Sequence, residues 1–473
     1  MSPRSLCAVV ALLAAVSCGS RAPEQAAEPR KPNIILFVAD DLGWTDLTSY
    51  GSQYYETPNI DRLAREGMKF SDAYANPNCA PTRAALLTGR YSPRTGIYTV
   101  DTGARGEERF RKMIPAENNT TLALDEVTFA EVLRGAGYAT AHMGKWHMGG
   151  EGNLPTDQGF DLNVGGNHSG SPKGGYFAPW KNPQMPDAPE GTHLADVFAA
   201  EASKFMEQNR DKPFLLYLPF YSVHTPIQAK PELVEKYTQK PGAGGQSNPK
   251  YAAMIETMDT AVGVVLDKLD ELGLENDTFV FFYSDNGGVG GYHRAGVDAN
   301  DITDNAPLRG GKGMLYEGGI RVPLLVRKPG LIPPGSFSQE TVMCVDFLPT
   351  LAEIAGAETP KDRDIDGVSF YPTFRSAGKS PSPRPPIYWH FPGYLQGRAE
   401  VGAWRTTPAG ALRIGRYKII EFFETGEVEL YNLEEDISEQ NNLIKLMPQK
   451  AADMQAELQA WRERTGAPMP VKK

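Results

Sequence analysis

An α/β architecture, with helices flanking a large and mostly parallel central sheet, is predicted from three observations. Apolar, β-rich runs alternate along the chain with amphipathic helical patterns. Each strong run ends in a cluster of polar residues. With 473 residues, 41% hydrophobic and 22% charged, the chain can build a large core with a smaller unit beside it.

The strand runs are clearest at Asn33–Ala39, 138–143, 213–220 and Thr278–Ser284. Between the first two, Pro58–Glu66 has a helical pattern: Thr57 is placed to cap, Pro58 suits the first turn, Ile60, Leu63 and Ala64 share a face, and Gly67 ends it. Leu194–Gln208 and residues 251–272 repeat that pattern. Residues 379–386 form a Ser/Pro-rich connector; beyond it, short strands, a hairpin around Thr425-Gly426 and a helix over 449–464 predict a small C-terminal antiparallel α+β subdomain. The expected division is a main domain over residues 32–380 and a subdomain over 381–473.

Ahead of these, Arg4, an apolar run over residues 6–16 and the small residues Ser17, Cys18, Gly19 and Ser20 read as an export signal over residues 1–18, too short to span a bilayer. Ala15-Val16-Ser17-Cys18 resembles a bacterial lipoprotein cleavage site, which would leave Cys18 lipidated; plain signal cleavage is the alternative. Residues 19–31 then read as a flexible tether. The expected location is periplasmic or cell-surface. The remaining cysteines, Cys79 and Cys344, are too few for a disulfide framework, and a bond between them is not expected.

A formal net charge of -10 argues against a general nucleic-acid binder. Any anionic substrate must be captured by local charge. The strand runs lead into Asp40-Asp41, Gly144-Lys145-Trp146-His147, Val223-His224 and Asp285-Asn286. In an open parallel sheet the carboxyl ends of strands share one edge, where such folds place their ligands. Asp40, Asp41, Asp285 and Asn286 offer hard oxygen donors suited to Ca²⁺ or Mg²⁺. Lys145, His147, His224 and Lys312 offer positive charge and proton donors for an oxyanion and its leaving oxygen. Taken singly, each acidic residue could cap a helix, each histidine could be structural, and Lys312 could be a solvated loop residue.

Cys79 precedes a helix-like run containing Pro81, with Arg83 about one turn on, and both the helix terminus and Arg83 favour negative charge there. Physics alone leaves a reactive thiol or a buried cysteine as the two readings.

Cys79-Ala80-Pro81-Thr82-Arg83, continuing through Leu87-Thr88-Gly89-Arg90, resembles the signature of the formylglycine-dependent sulfatases of the alkaline phosphatase superfamily. Supporting segments follow in the family's order: Asp40-Asp41-Leu42-Gly43, Gly144-Lys145-Trp146-His147, His224-Thr225-Pro226, Ser284-Asp285-Asn286-Gly287, and Gly311-Lys312 with Glu317-Gly318-Gly319-Ile320-Arg321. The resemblance covers nearly everything from Lys31 onward and implies an alkaline-phosphatase-like fold with residues 32–380 as the catalytic domain. It implies that a maturase oxidises Cys79 to formylglycine, whose hydrate attacks sulfur beside Ca²⁺ and then collapses to release sulfate. Asp40, Asp41, Asp285, Asn286 and the modified Cys79 would bind Ca²⁺. Arg83 and Lys145 would steady the diol, His147 would act as base, and His224 and Lys312 would hold sulfate and help protonate the leaving oxygen.

The resemblance is closest to bacterial sulfatases acting on sulfated glycans, with galactose-type sugars as the expected substrates. Residues 165–168 and 176–180 and Trp389-His390-Phe391 suit either sugar rings or core packing. Residues 105–112, with four basic residues and two Glu, read as a solvated face, with an anionic subsite as the alternative. Two further functional readings stand beside the sulfatase: a phosphomonoester or phosphonate hydrolase of the same superfamily, and an unmatured, inactive glycan-binding lipoprotein.

Overall fold

The computed structural model describes residues 30–376, 378–379 and 384–473. The residues read as an export signal, with Cys18, those read as a tether up to residue 29, and part of the connector lie outside the described residues.

Strand β1 (Asn33–Ala39) is buried along its whole length. Ile34, Leu36 and Val38 enter one core cluster, while Ile35, Phe37 and Ala39 enter another. That is the period-two geometry of a strand buried on both faces, so its sequence reads as a continuous apolar run. In chain order the strands that follow are β2 (Met68–Tyr74), β3 (Met113–Ile114), β4 (Ala139–Met143), β5 (Leu162–Val164), β6 (Phe214–Pro219), β7 (Thr278–Ser284), β8 (Arg321–Arg327), β9 (Ser336–Ser338) and β10 (Val342–Met343). Nine of these ten form the central sheet in the order β10-β2-β8-β7-β1-β6-β4-β5, with β9 paired to β2. The pairs of β1 with β6 and β7, and of β4 with β5 and β6, are parallel. Strand β8 runs against both of its neighbours, β2 and β7. The predicted strand limits hold within a residue.

Helix α1 (Pro58–Glu66) also lies where predicted, and Ile60 and Leu63 are buried while Ala64 is half-buried. Its capping differs from the sequence reading. Thr57 occupies the N-cap position, but its hydroxyl donates to Asp61 and accepts from the Thr48 N–H. Asp259, on the helix Pro249–Glu271, accepts from the Asn59 and Ile60 N–H groups instead. A carboxylate there meets the free N–H groups and positive end of α1 from another element, which local sequence cannot reveal.

The C-terminal strands are β11 (Ile387–Phe391), β12 (Leu395–Arg398), β13 (Ala403–Thr406), β14 (Ala409–Ile414), β15 (Tyr417–Phe422), β16 (Val428–Asn432) and β17 (Val471–Lys472). Strands β11, β14, β15 and β16 make an antiparallel sheet, β12 and β13 a hairpin, and β17 pairs with β3. The hairpin at Thr425-Gly426 joins β15 to β16, and the final helix, Pro448–Thr465, packs Met454, Leu458 and Trp461 into the first core cluster. Residues 31–473 form one compact unit.

A buried ionic cluster ties the C-terminal sheet to the central one. The Lys418 ammonium on β15 donates to Glu317 at 2.9 Å and to Glu439 at 2.8 Å, and all three side chains are fully buried. Glu317 also accepts from Arg321 and from the Tyr74 hydroxyl. Arg413 on β14 reaches Asp72 and the same hydroxyl on β2. Two carboxylates share one ammonium, and the cost falls on one of them: burial, with Glu317 beside it, pushes Glu439 up to about 7 against the pull of Lys418. Its ordinary value is 4.5, so the folded chain holds this proton more tightly than the unfolded chain. The contribution to stability is therefore full below about 4.5 and declines as pH rises to about 7. We expect Glu439→Gln to flatten the fall in stability between about pH 5 and about pH 7.5, measured as the difference in urea midpoint between variant and parent.

Candidate active site

The register of the central sheet assembles the site. Ala39 lies beside Ser284, and Val38 beside Pro219, so the residues that follow β1, β7 and β6 emerge at one edge. The edge is stitched together by the Asp40 N–H to Ser222 O (2.9 Å), the Val223 N–H to Asp40 O (2.6 Å) and the Asp285 N–H to Ala39 O (3.0 Å). Strand β4 brings Lys145 and His147 to the same place. Gly144 between them and the strand has φ 130°, and a Cβ there would lie 1.9 Å from Pro219 O, so only glycine lets the Lys145 N–H bond that carbonyl at 2.7 Å. Asp41 and His147 themselves have positive φ, 67° and 64°, an uncommon conformation for residues with side chains.

Helix α2 (Cys79–Thr88) is buried throughout, with Cys79 at its start. Cys79 and Cys344 are both free thiols. Cys344 Sγ accepts from Asn76, whereas Cys79 Sγ lies 3.5 Å from His147 Nδ1. Burial raises the Cys79 thiol, outweighing the pull of Lys145 and Lys312, so the sulfur stays protonated.

Three buried carboxylates face three basic groups. Arg83 donates through Nε (3.0 Å) and Nη2 (2.7 Å) to Asp285 Oδ2, and through Nη1 to the Lys145 carbonyl (2.8 Å). Lys145 Nζ is 2.7 Å from Asp40 Oδ2, and Lys312 Nζ is 2.5 Å from Asp41 Oδ1. Asn286 Nδ2 also donates to Asp41 Oδ1 at 2.9 Å, and His224 Nε2 lies 3.9 Å from Asp41 Oδ2. Burial raises Asp40, with Lys145 opposing, and raises Asp285 to about 6, with Asp40 adding to it and Arg83 opposing. For Asp41 burial acts the same way, but Lys312, His224 and Lys145 together outweigh it and hold the carboxyl low. Lys312 is raised in return by Asp41, against its own burial. Burial and the surrounding cations keep His147 neutral, and burial lowers His224 to about 3.

The ten residues that sequence marks for catalysis and metal binding therefore meet. Asp40, Cys79 and Asp285 each offer a ligand atom within 4.8 Å of the others, and so do Asp40, Asp41 and His224. Asp40 Oδ1 and Asn286 Oδ1 are buried without a hydrogen-bond partner. Orphaned acceptors among clustered carboxylates fit a hard divalent cation. Arg83 and Lys145 are engaged with carboxylates and a carbonyl, while His147 is the group in hydrogen-bond range of the sulfur.

Above Cys79 lies a cavity of about 670 Å³ whose lining includes Asp41, His147, His224, Lys312, Arg105 and Arg405. A smaller cavity with His168 and Lys173 shares Val100, His147 and Gly170 with it. Arg405 went unnoticed in the sequence, where nothing near it signals a site. Of the aromatic segments, Trp389 and Phe391 are core residues: the Trp389 indole donates to Ala75 O, and both side chains are about 1% exposed. Tyr176 is likewise buried, and its hydroxyl donates to the carbonyls of Tyr221 and His224, bracing the loop after β6.

A nucleophile position, paired carboxylates for a cation and basic groups around one pocket define a hydrolase of anionic esters. The family model described as Sulfatase matches residues 32–357, and the one described as N-sulphoglucosamine sulphohydrolase, C-terminal, matches residues 311–464. A sulfatase of Formosa agariphila is 35% identical over 93% of this chain and 90% of its own. The N-acetylgalactosamine-6-sulfatase of Canis lupus familiaris is 34% identical over 77% of this chain and 69% of its own. Among solved structures, Ps i-CgsB in complex with k-i-k-neocarrahexaose superposes with a TM-score of 0.74 at 31% identity, covering 91% of this chain and 93% of that one. The chain belongs to the sulfatase family, hydrolases of sulfuric esters with the alkaline-phosphatase-like fold.

Arg83→Ala would strand Asp285 as a buried charge without its bidentate partner. We expect a loss of about 3–5 kcal/mol, read by urea denaturation, with Arg83→Lys recovering only part because an ammonium cannot reproduce the fork.

Proposed function

We propose that the chain hydrolyses a sulfate monoester on a carbohydrate, using formylglycine made from Cys79 by a maturase and Ca²⁺ held by Asp40, Asp41, Asp285, Asn286 and the modified residue 79. The observation that carries this reading is the position of Cys79: an unpaired thiol at the start of a buried helix, where the ends of β1, β4 and β7, helix α2 and the glycine-rich loop bring three carboxylates and three basic groups together. As a thiol it is a poor nucleophile, because burial holds the proton on sulfur. When formed and bound, the hydrated aldehyde would supply an oxygen nucleophile and Ca²⁺ the charge that orients the sulfate.

The chain's own residues supply the rest. His147, neutral and 3.5 Å from Sγ, is placed to take a proton from position 79. Lys312, kept cationic by Asp41, faces the cavity where negative charge develops on the leaving oxygen, and His224, its Nδ1–H held by the Thr225 carbonyl at 2.7 Å, lines the same wall. Arg83 and Lys145 hold Asp285 and Asp40 in place and complete the positive field around residue 79. Support for a carbohydrate comes from the relative named N-acetylgalactosamine-6-sulfatase and the neighbour solved with k-i-k-neocarrahexaose, which keep galactose-type sugars as the first candidates. The leader argues for export to the periplasm or cell surface, with Cys18 as the lipidated residue.

In a preparation that releases sulfate from a sulfated saccharide, mass spectrometry of the peptide carrying residue 79 should find the aldehyde; a thiol throughout would sink the mechanism. Cys79→Ala should lower turnover by about 10³-fold or more while leaving the circular dichroism spectrum unchanged. Removal of divalent ions by a strong chelator should abolish activity and lower the melting temperature, and Ca²⁺ should restore both. Asp285→Asn should lose the Ca²⁺-dependent rise in melting temperature.

A further inference from the structure

Two arginines on the wall of the reaction cavity have no place in the chemistry described above. Arg105 lies in the loop before β3 and Arg405 on β13, and both line the cavity together with Cys79, His224 and Lys312. Both are half-buried, and among the described residues neither forms an ion pair. Nε of each is buried without a hydrogen-bond partner. One Arg105 Nη donates to Val100 O at 2.6 Å, which positions the guanidinium without neutralising it.

The wall is rigid. Arg111 donates to the carbonyls of residues 104, 105 and 106, and Ala104 bridges to Tyr394 beside the β12–β13 hairpin. Gly106, at φ 69°, lets the Trp404 ring approach to where a Cβ would sit, 2.6 Å from its edge, and Trp404 packs on Tyr394 with ring centres 4.8 Å apart. Arg405 follows Trp404, and its guanidinium sits over the Tyr292 ring at 4.6 Å; the Tyr292 hydroxyl donates to the Lys312 carbonyl at 3.0 Å. One aromatic ring thus sets Arg405 beside the loop that carries Lys312. Partly desolvated guanidiniums, fixed in position and lacking counter-ions, are costly unless an anion completes them.

We propose that Arg105 and Arg405 form a second anion subsite, so that the substrate is a saccharide carrying, besides the scissile sulfate, another sulfate or a carboxylate on the same or the adjoining ring. This rests on the sulfatase reading given above, in which the scissile group is met by Lys312, His224 and the cation. An isolated planar fork recognises either oxyanion in the same way, so the structure specifies the charge and the test decides its source.

The test uses the mature, full-length enzyme and matched pairs of monosulfated galactosides, N-acetylgalactosaminides and glucosaminides. Each pair compares the monosulfated sugar with the same sugar bearing a second sulfate, or joined to a uronate. The parent enzyme should prefer a doubly anionic member by roughly ten- to a hundredfold in kcat/KM, mostly through KM, and the member that gains identifies the anion. Arg105→Gln and Arg405→Gln should each shrink that ratio, the double variant should remove it, and Arg405→Lys should keep part of it. Melting curves establish that each variant is folded. Equal treatment of both members by the parent, or equal loss on both members in the folded variants, would overturn the subsite and leave the sulfatase reading standing. Sulfate released from no pair would instead overturn the saccharide reading, and the subsite with it.

Discussion

Burying like charges at one sheet edge is the constraint around which this molecule is organised. Asp40, Asp41 and Asp285 are at most 2% exposed, and three carboxylates so close together cannot all stay ionised in a dry site without compensation. Each is met by one cation from a different segment: Asp285 by Arg83 on α2, Asp40 by Lys145 after β4, and Asp41 by Lys312 from the glycine-rich loop. Because the partners lie 105–271 positions apart in the chain, no pair forms until the sheet has formed. Asp41 and His147, two of the four non-glycine residues with positive φ among the described residues, sit within this arrangement, where ion pairs and buried strand ends outweigh local backbone preference.

The same logic recurs one layer away. Lys418, Glu317 and Glu439 make a second fully buried ionic cluster, and Glu317 opens the short helix Glu317–Ile320. Within that helix Gly319 O accepts from the Gly287 N–H, and the Gly318 N–H donates to Arg309 O. Through these contacts the C-terminal sheet bears on both the loop after β7, which supplies Asp285 and Asn286, and the loop that supplies Lys312. The C-terminal strands thus help fix the site without placing a residue of that ionic cluster in its cavity.

What could be read from the sequence follows from how local the determining physics is. A strand buried on both faces must be apolar at every position, so β1 and β7 are visible as runs and their polar successors as strand ends. The motif from Cys79 to Arg90 is contiguous, so one helix carries its own signature. The cap of α1 was not legible, because Asp259 supplies it from 200 residues away. Trp389-His390-Phe391 showed only that aromatic side chains were present; whether they meet a sugar or the core depends on the pairing of β11 with β14, which a single segment does not specify.

Charge was legible as a sum but not as a field. A formal net charge of -10 gives no hint that Arg105 and Arg405 join Lys312, which the motifs mark, on the wall of the reaction cavity. Residues 105–112 read as an ordinary solvated stretch, with an anionic subsite as the alternative, because charged side chains in a loop normally stay in water. Folding sorts them instead. Arg109 turns to Glu107, and Arg111 to the carbonyls of its own loop, which leaves Arg105 facing the cavity. Arg405 arrives there from the far end of the chain on a hairpin edge. Proximity of the two guanidiniums to one cavity is a property of the β12–β13 hairpin docking on that loop, and in a chain of net negative charge an incoming anion meets that positive wall only at short range.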